Sequence, residues 1–312
     1  MKKLTIIIPC YNEEEVVGES YRRTKQVMLS LPNPSEIIYI NDGSRDRTKC
    51  ILNEIADSDP QVKVIHFSRN FGHQPAVTAG INRCTTDLAI IMDADLQDPP
   101  ELIPQILALQ EQEQANVVYC VRKSREGDHF FKRLTAKVFY RVMNSMSEVK
   151  FPFDTGDFRL IDRRIMDEFG RLNERGKYIR GLISWIGFRQ VPFYYKHEAR
   201  AAGKTKYPFS KMIRFASSAV LYFSNKPLKL AMSLGFTAVI IGLVLATWFT
   251  LGKIYGFSKA ESGWTSIVSM IIFFGGIQLL TVGVLGQYIG VLFNEIKARP
   301  EYIIEEERNF DI

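Results

Sequence analysis

Asp93-Ala94-Asp95-Leu96-Gln97-Asp98 is the densest group of chemically active side chains in the sequence. Two carboxylates separated by one residue repel each other unless a cation lies between them. A hard divalent ion, Mg2+ or Mn2+, suits such oxygen donors, with substrate phosphates completing its shell. Asp93 and Asp95 are therefore candidate metal ligands, and Gln97 can add a neutral oxygen. A solvated acidic turn ahead of a helix starting at Pro100 would also produce this motif, and the motif alone leaves both readings open. Three more polar clusters follow apolar runs: Pro9-Cys10-Tyr11-Asn12-Glu13, Asn41-Asp42-Gly43-Ser44 and Ser68-Arg69-Asn70-Phe71-Gly72. Asn-Asp-Gly-Ser by itself reads as a turn. Four such clusters at one edge of a sheet are harder to explain that way. Asp157, within Thr155–Arg159, precedes a strand-like run over Phe158–Ile161 and taken alone reads as a turn residue.

The elements that must position these groups follow from hydrophobic patterning. Leu4–Pro9, Glu36–Asn41, Val62–Ser68, Asp87–Met92 and Asn116–Val121 are nearly continuous apolar runs, as expected of strands covered on both faces. Glu13–Leu31, Asp46–Asp57, Gly72–Arg83 and Pro100–Gln112 read as helices, with Asp46 and Pro100 as starts. Alternating strands and helices predict an α/β fold with an open, mostly parallel sheet. Ligands in such sheets bind outside the carboxyl ends of the strands, where the four clusters lie.

The averages conceal the rest of the organisation. The chain has 312 residues, 46% hydrophobic and 24% charged, with a net charge of +6. This excludes wholesale disorder. Cys10, Cys50, Cys84 and Cys120 form no paired motif, so a zinc site or disulfide scaffold is not expected, and all four read as small buried hydrophobes. His66, His73, His129 and His197 are equally scattered. The apolar start of the chain ends at Pro9, too short for a signal peptide, which predicts a cytoplasmic N-terminal part. Leu230–Leu251 contains 22 residues without a charge and Trp264–Asn294 contains 31. At the helical rise the first spans roughly 33 Å, enough for a bilayer core. A two-helix hairpin follows, over about 230–251 and 264–289. Gly286-Gln-Tyr-Ile-Gly290 offers a weak close-packing signal. Residues 204–229 carry six basic side chains and no acidic one, and Lys297 and Arg299 follow the second span. The positive-inside rule then places both termini in the cytoplasm of a multi-pass inner-membrane protein.

The expected domains are 1–203 as the α/β domain, 204–229 as a basic interface helix, 230–294 as the hairpin and 295–312 as a tail. Within the first, about 130–146 also reads as an interface helix, with Phe131, Leu134, Val138, Val142 and Met146 on one stripe and Lys132, Arg133, Lys137 and Arg141 off it. An ordinary solvated helix would share that pattern. Nucleic acid is not an expected partner, because the basic excess lies beside apolar faces.

The ordered set Pro9-x-Tyr-Asn-Glu13, Asn41-Asp-Gly-Ser44, Ser68-Arg-Asn-Phe-Gly72, Asp93-Ala-Asp-Leu-Gln-Asp-Pro99 and Gly156-Asp-Phe-Arg159 resembles family 2 glycosyltransferases, and within them the polyprenyl-phosphate enzymes. The resemblance extends over essentially the whole chain. It implies a GT-A fold and an enzyme moving a sugar from a nucleotide-sugar to undecaprenyl or another polyprenyl phosphate. It further implies that Pro9, Tyr11, Glu13 and Asp42 hold base and ribose, with Asp93 near the ribose or metal. Asp95 and Gln97 would bind the metal with the diphosphate. Arg122, Arg133, Arg200 and Lys206 match basic positions that hold the acceptor phosphate. Asp157 takes a catalytic position with Asp95, as a group that orients substrate or accepts proton density. The same resemblance implies a homo-oligomer, with a tetramer among the forms, and glucose from a UDP-sugar as the transferred group. GDP-mannose, UDP-N-acetylhexosamine and UDP-aminoarabinose remain alternative donors. A phosphate monoester is already anionic at neutral pH, so a strong base is less necessary than for a hydroxyl acceptor. A processive polysaccharide synthase is disfavoured because no QxxRW motif occurs and two spans are few for a polymer channel. A non-catalytic lipid-binding scaffold is disfavoured because Asp93, Asp95 and Asp157 are all present.

Overall fold

The structure is a computed structural model that describes residues 2–123, 155–172, 174, 177–196, 226–255 and 263–310. The expected interface helix about 130–146, the basic stretch 204–225, and Arg133, Arg200 and Lys206 lie outside the described residues. The chain divides into two compact units, one holding the sheet with its helices and the residues from Arg299 on, the other holding two long helices.

In the first unit, strands β1 (Leu4–Cys10), β2 (Ser35–Asn41), β3 (Val62–Phe67) and β4 (Leu88–Ile91) alternate with helices α1 (Val17–Ser30), α2 (Thr48–Ser58) and α3 (His73–Arg83). A 3-10 turn at Pro100–Leu102 then leads into α4 (Ile103–Glu113) and β5 (Val117–Lys123). Next come β6 (Thr155–Asp162), α5 (Arg163–Arg171), α6 (Ile179–Ile186), β7 (Gln190–Lys196) and finally β8 (Ile304–Arg308). The sheet order is β7-β5-β6-β4-β1-β2-β3-β8. The β4-β1-β2-β3 portion is parallel throughout. Both β6 and β8 run antiparallel to their neighbours, which makes the sheet mixed.

The apolar runs form the core. Ile6, Ile7, Ile8, Ile37, Ile38 and Ile40 are all fully buried. Burial of each such side chain contributes about 1.5–3 kcal/mol. Helix α3 lies close against this layer because residue 80 is glycine: a Cβ there would come within 2.4 Å of Ile7 Cγ2 and 3.0 Å of Ile40 Cδ1.

Three local readings change. The first helix begins at Val17, not Glu13, because residues 14–16 form a turn before it, closed by the Glu13 carbonyl, which accepts from the Val16 and Val17 amides. Cys10, Cys84 and Cys120 are buried, but Cys50 is exposed on α2. Within the expected tail, Ile304–Arg308 pairs with β3. Ion pairs Lys49–Glu305 (3.0 Å), Arg83–Glu307 (2.8 Å) and Arg308–Asp57 (2.8 Å) fasten it, and Tyr302 stacks on Phe67 with centroids 5.0 Å apart. Its run of charged residues suits a strand at the sheet edge.

The second unit contains α7 (Lys226–Ile254) and α8 (Trp264–Ile296). Both have the length and composition to cross a membrane, over Lys226–Val244 and Met270–Ile296. Their large apolar side chains are exposed, Ile272 at 69% and Leu279 at 75%. Such surfaces suit lipid rather than water. The helices contact each other, and a Cβ at Gly242 would meet Phe274 at 3.9 Å. Gly286 and Gly290 face open space among the described residues, so the expected close-packing motif lies off that contact.

Candidate active site

Parallel strands deliver β1, β2, β3 and β4 to one carboxyl edge, and the antiparallel β6 brings its beginning there. Ile91 pairs with Arg159, so two residues beyond β4 the chain reaches Asp93 opposite Asp157. Asp157 thus lies inside a strand, 7% exposed, rather than in a turn ahead of one. Arg122 and Tyr195 pair near the carboxyl ends of β5 and β7.

The loops after β1 and β2 fasten to each other. Asn12 N donates to Ser44 Oγ (3.0 Å), Arg45 N to Asn12 Oδ1 (2.8 Å), Glu13 N to Thr48 Oγ1 (2.9 Å), and Arg47 N to Glu14 Oε2 (2.9 Å). Pro9 is buried in β1, while Tyr11 and Glu13 are half-buried beside that junction. Gly43 lets the loop after β3 pass close against the loop after β2. Its φ is +62°, and a Cβ there would come within 2.3 Å of the Arg69 backbone carbon and 2.5 Å of Asn70 N.

Asp42 has a task the sequence does not reveal. Its carboxylate accepts from Phe71 N (2.6 Å), Gly72 N (2.9 Å) and Asn70 Nδ2 (2.8 Å), and the residue is 3% exposed. It therefore fastens the loop after β3. Burial raises its pKa from the ordinary value, while the Phe71 and Gly72 amides pull the other way. Behind it, Asn41 Nδ2 donates to His66 Nδ1 (3.0 Å), and His66 Nε2 donates to Asn53 Oδ1 (2.8 Å). This tautomer is fixed by the amides, and burial lowers the His66 pKa to about 4.

Asp93, Asp95 and Gln97 are half-buried on the loop after β4. Gln97 N donates to Asp95 Oδ1 (3.1 Å), and Leu96 turns through φ +59°. Burial pushes the Asp93 pKa up to about 6, with Asp98, Asp157 and Asp95 adding repulsion and His73 opposing it. No cluster of three His, Cys, Asp or Glu groups suited to a metal occurs among the described residues. Two carboxylates and one amide oxygen nevertheless fit a hard divalent ion whose remaining positions go to substrate phosphates. The crowding of carboxylates around Asp93 is the electrostatic condition such an ion relieves.

Two groups absent from the sequence-level site complete it. His73, at the start of α3, places Nε2 3.0 Å from Asp157 Oδ2 and 3.8 Å from Asp93 Oδ1. Burial disfavours its protonated form, but the carboxylates of Asp157 and Asp93 overcome this and raise its pKa to about 9. Arg180, in α6, grips Asp157 with two nitrogens, Nε to Oδ1 at 2.7 Å and Nη2 to Oδ2 at 3.0 Å. Burial opposes Asp157 ionisation, yet Arg180 and His73 hold its pKa well below the ordinary range. On the other flank, Arg122 donates from Nε to the Tyr195 hydroxyl (3.2 Å) and lies 3.5 Å from Asp98 Oδ1. Tyr195 in turn donates to the fully buried Asp98. A lone His and a lone Arg give no sequence signal. Only the antiparallel placement of β6 brings them to Asp157.

A sheet whose carboxyl edge gathers paired carboxylates and cations is an arrangement for binding phosphorylated substrates. Residues 5–170 match the profile of glycosyl transferase family 2, and the chain belongs to that family and is a glycosyltransferase. The uncharacterized glycosyltransferase YkcC of Bacillus subtilis strain 168 is 44% identical over 302 residues, 97% of this chain and 93% of that protein. The bactoprenol glucosyl transferase of Shigella phage SfV is 36% identical over 306 residues, 98% of this chain and 99% of that protein. The Escherichia coli K12 prophage bactoprenol glucosyl transferase homolog is 37% identical over 303 residues, 97% of this chain and 98% of that protein. Among solved structures, the mannosyltransferase PcManGT from Pyrobaculum calidifontis, in complex with GDP-Man and Mn2+, aligns over 90% of this chain and 87% of its own at TM-score 0.44 and 16% identity.

Proposed function

We propose that this protein transfers glucose from UDP-glucose to a polyprenyl phosphate such as undecaprenyl phosphate, at the cytoplasmic face of a membrane that α7 and α8 cross. The observation that supports it most is end-to-end similarity to bactoprenol glucosyl transferases, with coverage of 98% of this chain in one case. The exposed apolar surfaces of the two long helices agree with an acceptor that resides in lipid. On this reading both termini are cytoplasmic and the chain works as a homo-oligomer, a tetramer among the candidate forms.

In the reaction, Pro9, Tyr11 and Glu13 lie beside the nucleoside, and Asp42 fixes the neighbouring loop through its bonds to Asn70, Phe71 and Gly72. Asp93, Asp95 and Gln97 would hold Mg2+ or Mn2+, which when bound supplies Lewis-acid stabilisation of the leaving diphosphate. Arg122, held by Tyr195 and Asp98, offers a guanidinium to the acceptor phosphate, with Arg133, Arg200 and Lys206 as further cations for it. The acceptor oxygen is anionic at neutral pH and attacks the anomeric carbon directly. A single displacement inverts that carbon, giving a β-linked product from an α-linked donor.

The test incubates purified protein with undecaprenyl phosphate, a divalent ion and a panel of UDP- and GDP-sugars, then extracts and identifies the lipid product. Glucose from UDP-glucose is the expected product. Asp95→Asn should abolish divalent-dependent transfer, and full activity of that variant overturns the metal assignment. Transfer of a different sugar only, such as mannose or N-acetylhexosamine, overturns the donor assignment.

A further inference from the structure

Asp157 is poorly placed to be a base. Its Oδ1 receives Arg180 Nε at 2.7 Å, and its Oδ2 receives both Arg180 Nη2 and His73 Nε2 at 3.0 Å. A carboxylate has about four lone-pair sites, so three are already taken. A base must present an accessible lone pair to the proton it removes. Asp157 is instead 7% exposed. The groups it holds are more open, with the Arg180 side chain 28% exposed and that of His73 33% exposed. They come from different elements, α6 and α3, and this buried carboxylate bonds to both and so ties them to the sheet edge. The ring of His73 also reaches to 3.8 Å from Asp93, so His73 stands beside the carboxylate assigned to the reaction centre.

We propose that Asp157 is a positioning residue: it holds Arg180 and His73 where they contact phosphate oxygens of the reacting pair. The inference rests on the reading of the substrates as a nucleotide-sugar and a phosphate acceptor. Arg180 is the stronger contact, since a guanidinium meets phosphate oxygens in a planar fork. Asp157 fixes the plane of that fork by its two parallel bonds and fixes the His73 ring by the third. No proton leaves Asp157 in this scheme. The phosphate class is shared by the donor's diphosphate and the acceptor's monoester, and binding measurements separate the two.

The experiment measures calorimetric binding of UDP, and separately of a short-chain polyprenyl phosphate, to the full-length protein and to Asp157→Asn, His73→Gln and the double variant. Loss of a charge-assisted bond to a ligand corresponds to an affinity drop of roughly tenfold or more. The proposal expects such a drop in both single variants for at least one ligand, with the double variant binding no more weakly than Asp157→Asn. The ligand that loses affinity identifies which phosphate is held. Wild-type affinity for both ligands in Asp157→Asn, with transfer abolished, overturns the proposal and restores Asp157 as a base. Losses that multiply in the double variant also overturn it, because Asp157 would then not act through His73. If Asp157→Asn does not fold, His73→Gln decides: weakened binding of either ligand supports the contact, and unchanged binding of both refutes it. Wild-type protein that binds UDP yet transfers no sugar to polyprenyl phosphate defeats the functional reading alone, and the variant comparison with UDP still stands.

Discussion

Replacing Asp42 by Asn separates a latch from a direct ligand. The carboxylate accepts three N–H groups, from Asn70 Nδ2, Phe71 N and Gly72 N, at 2.8, 2.6 and 2.9 Å. An Asn side chain must turn its NH2 toward one side. With NH2 at the Oδ1 position, the Phe71 amide faces another donor; with NH2 at the Oδ2 position, both Asn70 and Gly72 do. The first orientation loses fewer bonds. It removes one charge-assisted bond worth about 1.5–3 kcal/mol and weakens two more toward the neutral value of about 1 kcal/mol. Relief of the charge's burial, evident in the raised pKa of Asp42, offsets part of this. A net loss of about 2 kcal/mol is expected. In a domain of roughly 200 residues that lowers Tm by about 4–8 °C. Thermal unfolding in detergent and hydrogen exchange at Phe71 and Gly72 are the assays. Faster exchange at both amides, with a lower Tm and weakened UDP binding, is the expected pattern. Unchanged Tm and exchange with UDP binding abolished would refute the latch and make Asp42 a direct nucleoside ligand.

Three more outcomes follow from the same geometry. Gly43→Ala combines φ +62° with a Cβ 2.3 Å from backbone, so it should displace the loop after β3, lower Tm and weaken nucleotide binding together. His66 is fully buried and neutral, with a pKa near 4 against the usual 6.5. Its depressed value means that the unfolded chain takes up the proton first; stability is intact above about pH 6.5 and falls by about 3 kcal/mol as pH drops to about 4. A flatter acid limb in His66→Gln melting curves checks it. Truncation after Ala298 removes β8 and uncovers the edge of β3, which should promote aggregation and lower Tm, as read by light scattering and calorimetry.

Much of the site edge is legible in the sequence because parallel strands announce themselves as buried apolar runs. The polar groups that end those runs must share one edge, so the regions of Glu13, Asp42 and Asp93 are found without coordinates. Direction is the part that patterning does not encode. Phe158–Ile161 reads as a strand, but nothing local says that β6 runs antiparallel between β4 and β5, and that reversal places Asp157 opposite Asp93. His73 and Arg180 escape notice for the same reason, since their meaning comes from a carboxylate 84 and 23 residues distant. Glu305, Glu306, Glu307 and Arg308 look like a solvated tail because strand β8 is held by backbone pairing and surface ion pairs rather than by apolar burial. Asp42 illustrates a subtler limit. Its position at the edge is readable, but not the three N–H groups that turn its carboxylate toward the loop.

The proposed reaction is sugar transfer to a lipid-borne phosphate at this edge. Its most direct test is a single reaction: full-length protein in detergent or vesicles, UDP-[14C]glucose, undecaprenyl phosphate, and Mg2+ or Mn2+, with radioactivity counted in the organic phase. The expected result is divalent-dependent label in a lipid that releases glucose on mild acid treatment, and none with Asp95→Asn. Label that stays in the aqueous phase in every condition, while the protein is folded and binds UDP, would contradict it.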